Sequence, residues 1–195
     1  MWDERFSAPE YVYGTAPNDF LAQAASSIPG GPVLSIGDGE GRNGVFLAER
    51  GHAVTSVDAS AVGLAKARRL AAERGVTIDT VEADLAVYAI APAKYSGIVS
   101  VFCHLPRALR QRVHAQVVTG LAPGGVFVLE AYTPAQLALG TGGPKDPEML
   151  PTLDDLRAEL TGLTFEHALE CERDIQEGVL HSGRSAVVQV VARRR

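Results

Sequence analysis

An α/β fold is expected for this chain: a seven-stranded sheet, mostly parallel with an antiparallel last strand, and helices on both faces. Three observations carry that expectation. From about Val33 onward, short apolar runs alternate with amphipathic helical patterns, the rhythm of βαβ units on a parallel sheet. A glycine cluster, Gly37, Gly39 and Gly41, follows the first apolar run at once. The chain closes on two extended runs separated by Gly178, with no helical pattern between them. Together these describe a Rossmann-like sheet finished by a hairpin.

The elements follow in order. Val33 to Ile36 forms a first strand that stops in the glycines, and a helix from about Asn43 to Arg50 ends at Gly51. Ala53 to Val57 is the second strand. Ser60 then caps a helix rich in Ala, Leu, Lys and Arg that runs to Arg74. Thr77 to Glu82 makes a third strand and Gly97 to Phe102 a fourth. Pro106 opens a helix with Leu109, Val113, Val117 and Leu121 on one face. The turn Pro123-Gly124-Gly125 launches a fifth strand from Val126 to Ala131. Residues 133–151 are Gly/Pro-rich and read as a long ordered loop over the acceptor side. Thr152 and Asp155 resemble a capping box for a helix reaching Leu160. Strands at about 164–173 and 185–192 close the fold as a C-terminal hairpin. At 195 residues this is a single domain, with residues 1–30 an N-terminal lid and helix segment.

Composition narrows the function. Eighteen Lys and Arg against 23 Asp and Glu give a net charge of −5, so the chain lacks the basic footprint of a nucleic-acid binder. The long uncharged stretch 113–129 is broken by Gly120, Pro123, Gly124 and Gly125, which argues against a membrane span. Cys103 and Cys171 stand far apart, without the spacing of a disulfide framework or a zinc knuckle. The opening MWDERFSAPEYVYG has acids and a proline where an export signal needs an apolar core, so a cytoplasmic protein is expected. A monomer acting on a small molecule is the favoured reading of these features.

The chemistry concentrates in VLSIGDGEGRNG, residues 33–44. Glycines there allow a tight turn and let a ligand approach bare backbone, while the following helix N-terminus offers unpaired N–H groups. Gly39 to Gly44 reads formally as the GxGxxG of dinucleotide sites, and Gly37 to Gly41 as the GxGxG of nucleoside-binding methyltransferases. Asp58 ends the second strand, where a carboxylate can accept from both hydroxyls of a ribose. That residue suits either cofactor. Asp84 follows the third strand at the same sheet edge and can accept from an adenine amine, with the backbone at Leu85 near the ring nitrogens.

The run LSIGDGEGRNGVFLAERGHAVTSVDAS resembles motifs I and II of class I S-adenosylmethionine-dependent methyltransferases, especially the tellurite-resistance and thiopurine-methyltransferase-like branch. That resemblance implies S-adenosylmethionine as cofactor and S-adenosylhomocysteine as product. It implies cofactor contacts at Gly37, Asp38, Gly39, Gly41, Arg42, Asn43, Asp58, Ala59, Asp84, Leu85 and Phe102. It also implies that the opening segment folds over the cofactor, with Arg5, Tyr11 and Tyr13 as candidate lid residues. Two departures stand out. Ser35 replaces the usual acid before the first glycine, and Asp38 stands where a small residue is common, to meet the cofactor's amino group or to cap the turn.

Candidate acceptor-site residues are Tyr13, Cys103, His104, Arg173, His181 and Arg184. His104 is the candidate general base, since an imidazole titrates near neutrality; a packed cysteine and a capping histidine explain the same pair. Arg173, His181 and Arg184 could hold an anionic acceptor or belong to a solvated hairpin. No metal is expected. Two rivals remain: a non-catalytic S-adenosylmethionine sensor, and a nicotinamide-dependent reductase using the GxGxxG parse.

Overall fold

A computed structural model describes residues 2–178 and 181–195, so Met1 and residues 179–180 of the expected hairpin lie outside the described residues. Seven strands form one sheet: β1 (Pro32–Ile36), β2 (Ala53–Asp58), β3 (Asp79–Glu82), β4 (Tyr95–Val101), β5 (Leu121–Tyr132), β6 (Leu163–Glu177) and β7 (His181–Arg194). Their order is β3-β2-β1-β4-β5-β7-β6. The first five are parallel, and β7 runs antiparallel to both β5 and β6. The helices are α1 (Trp2–Arg5), α2 (Asp19–Ala24), α3 (Arg42–Glu49), α4 (Ala61–Glu73), α5 (Arg107–Gly120), α6 (Gln136–Leu139) and α7 (Leu153–Glu159). The expected architecture holds.

Two apolar layers sandwich the sheet because its strands are apolar on both faces. Leu34, Ile36, Phe127 and Leu129 pack toward α5 and α7, where Val113, Val117, Leu156 and Leu160 meet them. Val33, Val99, Val126 and Val128 pack toward Leu21 of α2 and Leu47 of α3. Both predicted caps form: Ser60 accepts from the Gly63 N–H, and Thr152 and Asp155 make a reciprocal capping box.

The differences are local. The third strand begins at Asp79 rather than Thr77. Pro123-Gly124-Gly125 lies inside β5, not before it: Tyr95 pairs with Leu121 and Gly97 with Val126, so the intervening residues bulge out of the ladder. The hairpin strands are longer than expected because pairing continues from Leu163↔Arg194 to Glu177↔His181. Within 133–151 the chain is not plain loop, since it makes α6 and a 3-10 turn at Pro147–Met149.

Candidate functional site

The C-terminal edges of β1, β2, β3 and β4 form one rim, with Asp58 paired in register to Glu82 and Ile36 to Val57. Asp58 accepts from the Gly39 N–H at 2.9 Å and from the Ser60 N–H at 2.8 Å. No cation pairs with it among the described residues, and burial raises its pKa. Ala59 beside it is exposed. Asp84 is exposed on the same rim and accepts from the Ala86 N–H at 2.8 Å, while Leu85 is buried beneath it.

Several residues expected here turn elsewhere. Asp38 points inward, accepting from Ser35 Oγ at 2.7 Å, Ser56 Oγ at 2.6 Å and the Gly44 N–H at 3.2 Å. It clasps the loop to β1 and β2 and does not reach an amino group in the cleft; desolvation raises its pKa despite those three donors. Gly41 has φ +86°, and a Cβ there would lie 2.7 Å from Ala67 Cα, so α4 is what demands glycine at this position. Cys103 is likewise displaced from the acceptor side. Its Sγ lies 2.6 Å from where a Gly37 Cβ would be, and burial with the nearby Asp58 charge pushes its thiol up to about 12. It fills the space behind the glycine loop as a neutral thiol. Asn43 accepts from the Asn18 N–H at 2.9 Å and is spent on the start of α2.

Arg42 is the exception at the head of α3. It is buried, its Nη2 lies 2.5 Å from Glu177 Oε2, and its Nη1 has no hydrogen-bond partner among the described residues.

Residues 2–14 form a strap across this rim. Phe6 is 2% exposed, and its ring lies 3.2 Å from where a Gly39 Cβ would be. Asp3 accepts from Ser60 Oγ at 2.5 Å and the Val62 N–H at 3.3 Å. Lys66 bridges Glu40 and the Glu10 carbonyl, both at 2.7 Å, and Glu40 also accepts from the Tyr13 N–H at 3.3 Å. Tyr11 donates to the Lys66 carbonyl at 3.2 Å, and Arg5 to Tyr13 Oη at 3.3 Å. Sequence reasoning missed Phe6, Glu40 and Lys66. Only a lysine on the apolar face of α4 hinted at the buried pair.

The side expected to take the acceptor is aromatic. Phe102, just past β4, adopts φ +51°, a left-handed backbone that is costly for a bulky side chain and is held by its N–H to the Glu130 carbonyl at 2.8 Å. Its ring stacks on Tyr132 at 4.6 Å, and His181 stands edge-on to Phe102 at 4.8 Å and against Tyr13 at 4.6 Å. Gly143 of the 133–151 segment rests on the Tyr132 ring, and Gln136 ties that segment to the Ala186 N–H of β7. His104 stacks parallel to Tyr132, and its Nε2 accepts from the Tyr132 N–H at 3.0 Å. That nitrogen is committed, so His104 is not a free base. Arg173 is neutralised by Glu130 at 2.6 Å and Glu177 at 3.2 Å, and Arg184 pairs with Glu172 at 3.0 Å on the surface. Neither arginine stands free for an anionic acceptor. Of the four candidates His104, Arg173, His181 and Arg184, His181 is the one that keeps a nitrogen, Nδ1, buried and without a partner among the described residues. Those residues hold no metal-binding cluster.

Burial drives the pKa of both His104 and His181 down to about 3, helped by His181 for the first and by Arg42, Arg5 and Arg173 for the second. Both rings are neutral at pH 7. In the unfolded chain a histidine titrates near 6.5, so between about pH 6.5 and 3 the unfolded state binds more protons and the fold loses stability as pH falls. Asp38 and Asp58, with raised values, act in the opposite sense. From pH 7 to pH 5 the wild type should therefore lose about 1–2 kcal/mol more than a His181→Gln variant. Denaturant titrations at both pH values measure this; equal losses would mean that His181 is protonated in the fold.

The rim suits a nucleoside with an amino-acid tail. Asp58 keeps acceptor capacity for a ribose diol, and Arg42 Nη1 is a donor in want of an anion. Residues 33–125 match the family model described as a methyltransferase domain. Over its full length the chain superposes on TehB from Haemophilus influenzae with a TM-score of 0.77, at 21% identity and 68% of that chain. It also superposes on the N-methyltransferase NodS from Bradyrhizobium japonicum in complex with S-adenosyl-l-homocysteine, with a TM-score of 0.67 and 18% identity. That match covers 98% of this chain and 86% of NodS. The fold is that of the S-adenosylmethionine-dependent methyltransferases. A curated relative, the 2-heptyl-1-hydroxyquinolin-4(1H)-one methyltransferase of Mycobacteroides abscessus, is 30% identical over 147 residues. The match takes in 72% of this methyltransferase-fold chain, which spans 65% of the relative's length. Among the described residues no helix is long and apolar enough to cross a membrane.

Proposed function

We propose that the protein transfers a methyl group from S-adenosylmethionine to a small-molecule acceptor, leaving S-adenosylhomocysteine. The observation that carries this is Asp58: a desolvated carboxylate at the end of β2, bonded only to backbone amides and adjoining the glycine loop. Gly37, Gly39, Arg42, Asp58, Ala59, Asp84, Leu85 and Phe102 are the cofactor contacts in this reading. The bound sulfonium supplies an activated methyl carbon, so the protein chiefly orients the acceptor and excludes water. The strap of residues 2–14 and the segment 133–151 do the excluding. Neutral His181 presents an acceptor nitrogen to an acceptor's hydroxyl proton.

Membership of the tellurite-resistance and thiopurine-methyltransferase-like branch rests on the TehB likeness over the whole chain and on the opening segment. For the acceptor, the stacked rings of Phe102 and Tyr132, with Tyr13 tilted against His181, and the neutralised Arg173 favour a flat, uncharged molecule over an oxyanion. A hydroxylated heteroaromatic, the kind of molecule the M. abscessus relative is named for, fits that description.

Asp58→Ala should weaken S-adenosylhomocysteine binding by about 1.5–3 kcal/mol, and exposed Asp84→Ala by less. Calorimetric titration tests both; unchanged affinity in the Asp58 variant would place the ribose elsewhere. A screen of hydroxylated aromatics for methyl transfer separates the enzyme from a non-catalytic sensor.

A further inference from the structure

We infer that Glu177, the last residue of β6, aims Arg42 so that its Nη1 receives the carboxylate at the amino-acid end of the cofactor; this rests on the methyltransferase reading. Arg42 is 7% exposed, and a guanidinium so buried is stable only when its donors are used. Nη2 is used, at 2.5 Å from Glu177 Oε2, and Nη1 is not. The planar fork of arginine fixes where Nη1 points once Nη2 is held. Arg42 is also the first residue of α3, so the helix N-terminus adds its own preference for an anion. The glycine loop of residues 37–41 leads straight into that turn.

Glu177 is itself held rigidly. Its Oε1 accepts from Asn18 Nδ2 at 2.8 Å and from Arg173 Nη2 at 3.2 Å, leaving Oε2 for Arg42 alone. The next residue, Gly178, packs so closely on the strap that a Cβ there would lie 2.6 Å from Tyr13 Cα. Arg42, the end of β6 and the strap therefore pack against one another. Glu177 acts through Arg42 and is a positioning residue.

The test uses two ligands on the full chain, measured by calorimetry. S-adenosylhomocysteine carries the carboxylate; 5′-deoxy-5′-methylthioadenosine is the same thioether nucleoside without the amino-acid tail. Arg42→Gln should weaken the first by about 10- to 100-fold and the second by less than about twofold. Glu177→Gln should show the same selectivity at about 5- to 10-fold. Arg42→Lys, which keeps a charge without the fork, should recover part of the loss. A purely structural role would weaken both ligands together, and that result, or unchanged S-adenosylhomocysteine affinity in Arg42→Gln, overturns the inference. Should Arg42→Gln fail to fold, Glu177→Gln and Arg42→Lys decide it by the same ratio. Wild-type protein that binds neither nucleoside overturns the methyltransferase reading itself.

Discussion

Gly41→Val is expected to cost about 3–5 kcal/mol of stability, a large share of what an ordinary domain possesses. Two effects add. A Cβ at this position runs into the Ala67 methyl and lies 2.7 Å from Ala67 Cα, which is backbone of α4 and cannot swing aside. The residue also has φ +86°, where a β-branched side chain is strained whatever the space. Because the clash is with α4 and not with the cleft, whatever fraction stays folded should still gain thermal stability from S-adenosylhomocysteine. A melting curve with and without that ligand reads both parts. A variant that melts like wild type yet has lost the ligand shift would show that Gly41 faces the cofactor. Gly39 offers the contrast: its missing Cβ faces the tip of the Phe6 ring at 3.2 Å, so Gly39→Ala should disturb the strap before the core.

Glu130→Ala should be comparably severe, at about 3–5 kcal/mol. Glu130 is 0% exposed on β5 and accepts from Arg173 Nε and Nη2 at 2.9 and 2.6 Å, from Asn18 Nδ2 at 2.6 Å and from Gln189 Nε2 at 2.6 Å. Its removal leaves a guanidinium and two amides buried with too few acceptors, and breaking one side of such a pair costs more than the pair contributed. Glu130→Gln keeps the shape and loses the charge, so it should fall between the two. Denaturant midpoints order the three proteins; a loss under about 1 kcal/mol for the alanine variant would mean that water satisfies those donors.

The succession of strands and helices and the carboxylates at the sheet rim were legible because both follow from local rules. Apolar period sets the strands, glycine sets the turn at 37–41, and a residue that ends a parallel strand stands on the ligand-binding edge. What could not be read was direction. Asp38, Gly41 and Cys103 lie within the right segments, yet each faces the protein rather than the cleft, because Ser35, Ser56 and Ala67 come from elements whose packing no spacing encodes. Arg173 looked like an anion binder since Glu130, which holds its guanidinium most closely, comes from another strand, β5, although Glu177 lies only four residues on along β6. A covering opening segment was expected from the resemblance, but its anchors escaped for a similar reason: Glu40 and Lys66 sit in a glycine loop and on an amphipathic helix, where each has an ordinary local explanation.

Asn18 shows how such a junction narrows the choice of residue. As the cap of α2 its Oδ1 accepts from the Leu21 N–H at 2.9 Å, a task aspartate performs as well. Its Nδ2, however, donates to both Glu130 and Glu177. An aspartate there would set a third carboxylate between two others and return no donor. Two amino acids that are interchangeable at most helix starts thus differ here as sharply as a bridge differs from a gap, and divergence at this position is closed by charge rather than by shape.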